Sequence, residues 1–554
     1  MIQRILLLAL LLHVRAIYGV SKKSRVFLLS LDGFIADFYK HSQNMPNLER
    51  LARQGVRATR LIPSFPPDTF PSMTSLITGL YTESHGIIAN KFYHVQYDEK
   101  FSYVDDPASW ERNGKFYTQE PVWLTNQKQG GSSAVYYWPG YCAYSEKPTY
   151  LNHPISARSS LEKGRRSIDE INMLLDNDPD LNLVALWVDS PDWAGHRYGR
   201  HSKEYAKELE RVDKEIIGYL MDKLKDKPDI NLILVSDHGI IDGNGNSTKT
   251  KARFLEDYLR KDSYKLIFGG PSCALWPANG AKTEELLQRL MVLNHTGHYR
   301  VYRKQDIPEY LHYKHNKNTA PILVLSEAGW LLKEKRKPGR WYGGSHGYDV
   351  SYEGMGTLFA AHGPAFKHGL LLDAFESVNV VPLVAHLLGI KARPNNGTLK
   401  PFQEALSNDF SVQAASILSA ISVTHPCGTE KIYGAIRFYQ KSANEVGVHV
   451  KLITGKIFTR YRVEIHESGD VHTMGCFGSR STLSTLSFLD VTTSERVPYV
   501  TTDRQGRVNK MTFLTGHSLS YGKNSIIGRS VVIQSNTRIP TEEGMISCGE
   551  IARV

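Results

Sequence analysis

The chain has 554 residues, 41% of them hydrophobic and 22% charged, which is long enough for two or more cores and too ordinary in composition for a disordered or membrane-embedded protein. Its net charge of +11 comes from scattered basic residues, so it reads as solubility and argues against duplex nucleic acid as a partner. The five cysteines, Cys142, Cys273, Cys427, Cys476 and Cys548, lack zinc-type spacing, which excludes a cysteine metal site and leaves disulfides with one thiol over.

At the start of the chain, Arg4 precedes the apolar run Ile5 to Leu12 and the small residues Ala16 and Gly19. This layout predicts a signal peptide over residues 1–20 and an extracellular, secreted protein. The run is far shorter than the roughly 20 apolar residues of a membrane span, and Ile551 to Val554 form no hydrophobic tail, so no stable membrane span is expected. Sequons at Asn246, Asn294 and Asn396 are compatible with glycosylation on that route.

From Arg25 apolar runs alternate with amphipathic stretches, as in parallel α/β folds. Val26 to Leu31, Leu183 to Val188 and Leu232 to Val235 are nearly continuous in apolar residues, the pattern of strands covered on both faces. Each run ends at an acidic motif: Asp32, the segment Asp189 to His196, and Asp237-His238. Ligands of open parallel sheets bind beyond the carboxyl ends of strands, so these three segments are expected to converge. Glu204 to Lys225 has helical spacing and many charges, predicting a crossover helix. A last helix is expected around Val378 to Leu388, followed by a polar stretch at Lys391 to Thr398. The first domain is therefore placed at 24–400, a linker at 401–425 and a second domain at 426–554, where short alternating segments such as Val446 to Leu452 read as all-β.

A two-metal hydrolase needs about seven oxygen and nitrogen ligands around ions roughly 4 Å apart. The strand ends supply them: Asp192 and His196 for one ion, Asp237 and His238 for the other, with Asp32 and His346 completing the set. Any one of these residues alone would more often be a cap or a satisfied core group, so the joint pattern carries the reading.

The segments Leu31-Asp32-Gly33-Phe34, Phe65 to Pro71, Thr78 to Ile87, Asp192 to His196, Ser236 to Gly239 and Gly344 to Tyr348 together resemble the ectonucleotide pyrophosphatase/phosphodiesterases of the alkaline phosphatase superfamily. The resemblance implies an alkaline-phosphatase-like α/β domain, a mixed sheet flanked by helices, that hydrolyses nucleotide phosphodiester or pyrophosphate bonds. It implies two zinc ions, one held by Asp192, His196 and His346 and the other by Asp32, Thr69, Asp237 and His238, with Thr69 as the zinc-activated nucleophile and a phospho-threonine intermediate. Asn90 matches the asparagine that, with the amide after the nucleophile, stabilises phosphate oxygens. Phe70 and Tyr150 match aromatic positions that sandwich a nucleobase, and Trp138 matches a neighbouring wall. The stretch Tyr141 to Asn152 stands where relatives cleaving lysophospholipids lack a loop, which favours nucleotide substrates over choline or lysophospholipid phosphodiesters. Asp68, Ser72 and Met73 depart from the lysine, asparagine and histidine of many relatives, and Asp68 is expected to disfavour nucleoside triphosphates against dinucleotides such as cyclic GMP-AMP. A secreted nucleotide binder without catalysis is the alternative that the intact ligand set opposes.

The C-terminal segments Gly434 to Phe438, Glu464 to Asp470, Gly475-Cys476, Asn524 to Arg529 and Ser547 to Gly549 resemble Cu/Zn superoxide dismutase. This implies a Greek-key sandwich with a Cys476 to Cys548 disulfide. Of the matching copper positions only His466 remains, with Glu464 and Gln534 at two others, so neither copper nor zinc is expected there. A docking or dimerisation role follows from the fold without its metals.

Overall fold

The computed structural model describes residues 24–41, 44–102, 113–151, 161–243, 251–336 and 343–407, and stretches between 419 and 553. The expected signal peptide, Asn246, Cys427 and Cys476 lie outside them. Contacts divide the chain into two units, Met1–Val412 and Gln413–Val554.

The first unit is built on an eight-stranded sheet. Its strands in chain order are β1 (Arg25–Leu31), β2 (Val56–Ala58), β3 (Ser132–Tyr136), β4 (Tyr150–Leu151), β5 (Leu181–Val188), β6 (Ile230–Val235), β7 (Phe359–His362) and β8 (Leu370–Leu372). Across the sheet they run β8-β2-β7-β6-β1-β5-β3-β4. β1 pairs in parallel with both β5 and β6, Leu31 facing Val188 and Ser30 facing Val235. The three apolar runs therefore stop level with one another, and the segment after each run emerges at one edge. Only β7 runs antiparallel to its neighbours β6 and β2, which makes the sheet mixed.

Alternation along β1 assigns its two faces. Val26 and Leu28 join a core with Met73, Leu76 and Ile77 of the helix Thr69–Thr78 and with Leu383 and Leu387 of the helix Val380–Leu388. Phe27, Leu29 and Leu31 join a second core with Ile168 and Ile171 of the helix Leu161–Asn177 and with Leu209, Val212 and Ile216. Burying each of these large apolar side chains contributes about 1.5–3 kcal/mol, so both faces anchor the sheet.

The crossover helix is interrupted. An α-helix at Lys203–Val212 passes into a π-helical turn at Asp213–Gly218 before resuming at Tyr219–Leu224. The carboxylate of Asp213 accepts the backbone N–H groups of Asn47 (3.1 Å) and Leu48 (2.7 Å). These open the helix Pro46–Arg53, whose N-cap Met45 has no capping side chain. A distant aspartate thus does the capping, a tertiary contact that helical spacing could not reveal.

Between β6 and β7 the chain makes a long excursion. It builds a four-stranded antiparallel sheet in the order Tyr264–Phe268, Ser272–Pro277, Ile322–Ser326, Tyr299–Arg303, with its own core around Leu255, Leu275, Leu290 and Val324. Pairing of Ile241–Asp242 with Gly344–Ser345 returns it to the edge where β6 ends.

The described strands of the second unit, among them Ile432–Ser442, Glu445–Thr454, Arg460–His466 and Ser530–Ser535, all pair antiparallel. Ile436, Val448, Val450, Val463, Ile465, Val531 and Ile533 form their core. His466 Nε2 lies 3.3 Å from Glu464 Oε2, both side chains buried.

Candidate active site

The level ends of β1, β5 and β6 are stitched by main-chain bonds: the Asp32 N–H donates to Val188 O (2.9 Å) and the Asp192 N–H to Asp32 O (3.0 Å). Gly33, at φ +67°, permits this approach, because a Cβ there would stand 2.8 Å from Asp192 Cα. Asp237, at the end of β6, accepts the Gly33 and His238 N–H groups at Oδ1 (3.1 and 3.0 Å). Its Oδ2 is buried with no hydrogen-bond partner, as is Oδ1 of Asp32.

The three histidines carry the same device. Nδ1 of His196 lies 3.1 Å from Gly344 O, Nδ1 of His238 3.2 Å from Gly239 O, and Nδ1 of His346 3.0 Å from Pro67 O. A carbonyl only accepts, so each Nδ1 carries the hydrogen and each Nε2 is left with a lone pair. His238 Nε2 faces Asp32 Oδ1 at 3.2 Å and Asp237 Oδ2 at 3.5 Å, and His196 Nε2 faces Asp192 Oδ2 at 3.4 Å. His346 stacks on His238 at 3.6 Å between ring centres and lies 4.9 Å from His196. Lone pairs and carboxylate oxygens confronting one another in a buried place repel unless a cation sits among them. Burial, reinforced by Asp237 and then Asp192, pushes the Asp32 carboxyl well above the usual carboxylate range, and burial foremost lowers His196. A dication would relieve the strain on Asp32, while burial keeps His196 neutral, the form in which an imidazole coordinates a metal.

Donor atoms of Asp32, Asp237 and His238 lie within 4.8 Å of one another, and so do those of Asp192, His238 and His346. Five of the six expected acid and imidazole ligands therefore meet in these groups, and His196 stands at their edge beside Asp192. The partition differs from the sequence expectation in one respect: His238 falls in both groups, while His196 approaches through Asp192 and the ring of His346. Asp242 ties the segment after His196 to the segment after His238, accepting the Arg200 main-chain N–H at one oxygen and meeting His201 Nδ1 at the other.

Thr69 is the first residue of the helix Thr69–Thr78 and is 6% exposed. Its Oγ1 lies 3.4 Å from His238 Nε2, which places the hydroxyl at the ligand cluster and at a helix N-terminus, where negative charge is stabilised. Asn90 stands beside it: its Oδ1 accepts the Phe70 N–H (2.8 Å), the amide that follows Thr69.

The aromatic expectations need correction. Phe70 is 2% exposed and packs edge-on to Phe101 at 5.9 Å, while Trp138 is fully buried and donates Nε1–H to Met73 O (3.1 Å). Both support the helix Thr69–Thr78 from within and present no open face. Tyr150, on the edge strand β4, donates its hydroxyl to Asp178 (2.9 Å), just before β5 begins and so at the end of that strand opposite Asp192. Sequence position alone does not tell a platform from packing. Asn152, the last residue of the expected loop, lies outside the described ones.

Residues 26–349 match the family model for type I phosphodiesterase/nucleotide pyrophosphatase. The chain is 33% identical over 411 residues to a bis(5'-adenosyl)-triphosphatase of Xenopus laevis, covering 72% of this chain and 86% of the relative. It is 32% identical over 393 residues to human ectonucleotide pyrophosphatase/phosphodiesterase family member 5, covering 70% and 79%. The solved murine family member 5 superposes with a TM-score of 0.64 at 32% identity, over 69% of this chain and 100% of that one. An inactive threonine-to-alanine variant of the murine protein, solved with AMP, aligns with the same TM-score at 31% identity.

Proposed function

Because the chain belongs to the type I phosphodiesterase/nucleotide pyrophosphatase family and is an enzyme of that class, we propose that it hydrolyses dinucleotide phosphate esters at a two-zinc site with Thr69 as nucleophile. The observation that carries this reading is the Thr69 hydroxyl 3.4 Å from His238 Nε2, at the edge of a cluster of Asp32, Asp237, His238, Asp192 and His346. The donors are mixed oxygen and nitrogen, which suits zinc. Two ions held there would act as Lewis acids on phosphoryl oxygens and lower the pKa of a bound hydroxyl.

The chain's own groups do the rest. Thr69 Oγ1, its proton passed to solvent, attacks the phosphorus next to the nucleoside in line; the P–O bond to the rest of the dinucleotide breaks, and that remainder leaves, as a nucleoside diphosphate in the case of diadenosine triphosphate. Asn90 Nδ2 and the helix N-terminus hold the non-bridging oxygens as charge shifts onto them. Water then cleaves the phospho-threonine ester, and two inversions give net retention at phosphorus. Asp68 adds a carboxylate beside His346 and disfavours substrates with a run of terminal phosphates. The diadenosine substrate named for the Xenopus relative supports the same choice.

The deciding assay offers the nitrophenyl ester of thymidine monophosphate, diadenosine triphosphate and ATP to the full chain, with and without chelator. Turnover that needs zinc, prefers the dinucleotide to ATP and falls at least about a thousand-fold in Thr69→Ala is expected. Activity that survives the mutation removes Thr69 from the mechanism, and preference for ATP removes the proposed role of Asp68.

Export through residues 1–20, a Cys476 to Cys548 bridge and a metal-free superoxide-dismutase-like sandwich in the second unit complete the proposal. Mass spectrometry of the secreted chain, reduced and unreduced, tests the first two together.

A further inference from the structure

His346 differs from the other two imidazoles of the cluster in what stands beside its Nδ1. The Nδ1 atoms of His196 and His238 meet main-chain carbonyls, whereas Nδ1 of His346 stands 3.1 Å from Asp68 Oδ1 as well as 3.0 Å from Pro67 O. The pair is shielded from solvent, with side-chain exposures of 11% for His346 and 15% for Asp68.

Two further observations say that this contact is the business of Asp68. It occupies the N-cap position of the helix Thr69–Thr78 with extended backbone angles, φ −117° and ψ 155°, yet its side chain makes no capping hydrogen bond. An aspartate at an N-cap normally bonds the helix N–H groups, worth about 1 kcal/mol to the helix. Here the carboxylate is turned toward His346 instead. On the other side, Gly347 has φ +97°, and a Cβ there would come within 3.2 Å of Asp68 Oδ1. The glycine clears the space that the carboxylate uses.

A carboxylate standing beside the ring nitrogen that carries the hydrogen favours that tautomer and makes the opposite nitrogen a stronger electron-pair donor, more than a neutral carbonyl alone does. We propose that Asp68 is a positioning residue: it holds His346 with Nε2 toward the ion of the Asp192 group and strengthens the grip on that ion alone. This rests on the two-zinc reading above. Because Asp68 immediately precedes Thr69, the same residue ties the nucleophile's helix to the arm that carries His346, some two hundred and eighty positions later in the chain.

The test counts bound zinc by elemental analysis after dialysis of the full chain against buffers of graded free zinc. Asp68→Asn keeps an acceptor and removes the charge, and Asp68→Ala removes both. Both variants are expected to hold one ion as the wild type does and the other about 10- to 100-fold more weakly, while the thermal midpoints of the metal-free chains stay equal. In a His346→Ala background, Asp68→Asn is expected to change nothing further. Two ions held by Asp68→Asn at wild-type affinity overturn the inference. So does a lowered midpoint of the metal-free variants, which makes the role structural, and so does an undiminished effect in the His346→Ala background. A wild-type chain that takes up no zinc overturns the two-zinc reading itself, and this inference with it.

Discussion

Asn90 and Thr69 meet through a backbone amide: the carboxamide oxygen of Asn90 holds the Phe70 N–H, and its NH2 is the proposed donor to a phosphate oxygen. Removing it in Asn90→Ala is expected to lower kcat about 10²- to 10³-fold with KM nearly unchanged, since the bond forms to charge that develops in the transition state. Steady-state kinetics on a dinucleotide check this, and an equal rise in KM would make Asn90 a binding residue. At this scale the sequence was legible where chemistry and position coincided. Asp32, Asp192, Asp237 and His238 follow buried apolar runs, and the rule for strand ends places them without knowledge of the fold. Phe70, Trp138 and Tyr150 were misread because an aromatic ring carries the same letter in a core as on a platform. The contact between Asp68 and His346 was invisible because it forms only when distant segments meet.

The helix that opens with Thr69 depends on a buried histidine. His85, 1% exposed, accepts the Ile87 N–H at Nδ1 (3.1 Å), so its Nε2–H donates to Ser75 Oγ (3.0 Å). This locks the neutral ring between the helix Thr69–Thr78 and the segment leading to Asn90. Burial lowers its pKa from 6.5 to about 3. The unfolded chain therefore takes up the proton first, and stability is complete above about pH 6.5 and drains away as pH falls toward 3. His85→Gln, which keeps one donor and one acceptor, is expected to lose roughly 2 kcal/mol less than the wild type between pH 7 and pH 5, read from urea midpoints at each pH. Equal losses would mean that His85 is already protonated when folded. Strand and helix positions of the main sheet were readable from apolar periodicity, because burial on both faces leaves few other patterns. The π-helical turn at Asp213 was not, since it answers to the uncapped amides of another helix.

The two units have separate cores, and every expected metal ligand belongs to the first. Calorimetry of the full chain is expected to resolve two transitions, of which chelator lowers only one. Zinc at a thousand times its dissociation constant stabilises the folded unit by about 4 kcal/mol, enough to move its midpoint by several degrees. A chelator shift in both transitions would place a metal in the second unit and contradict the loss of ligands around His466.

The last ligand arrives only after the excursion between His238 and His346, which folds into a small sheet with a core of its own. Closing such a loop costs little more as it lengthens, about 0.6 kcal/mol for each doubling. The chain can therefore enlarge or redecorate that appendage almost without penalty to the chemistry beneath it, provided Gly344–Ser345 still finds Ile241–Asp242. Its length and surface can change while the set of candidate ligands stays as it is.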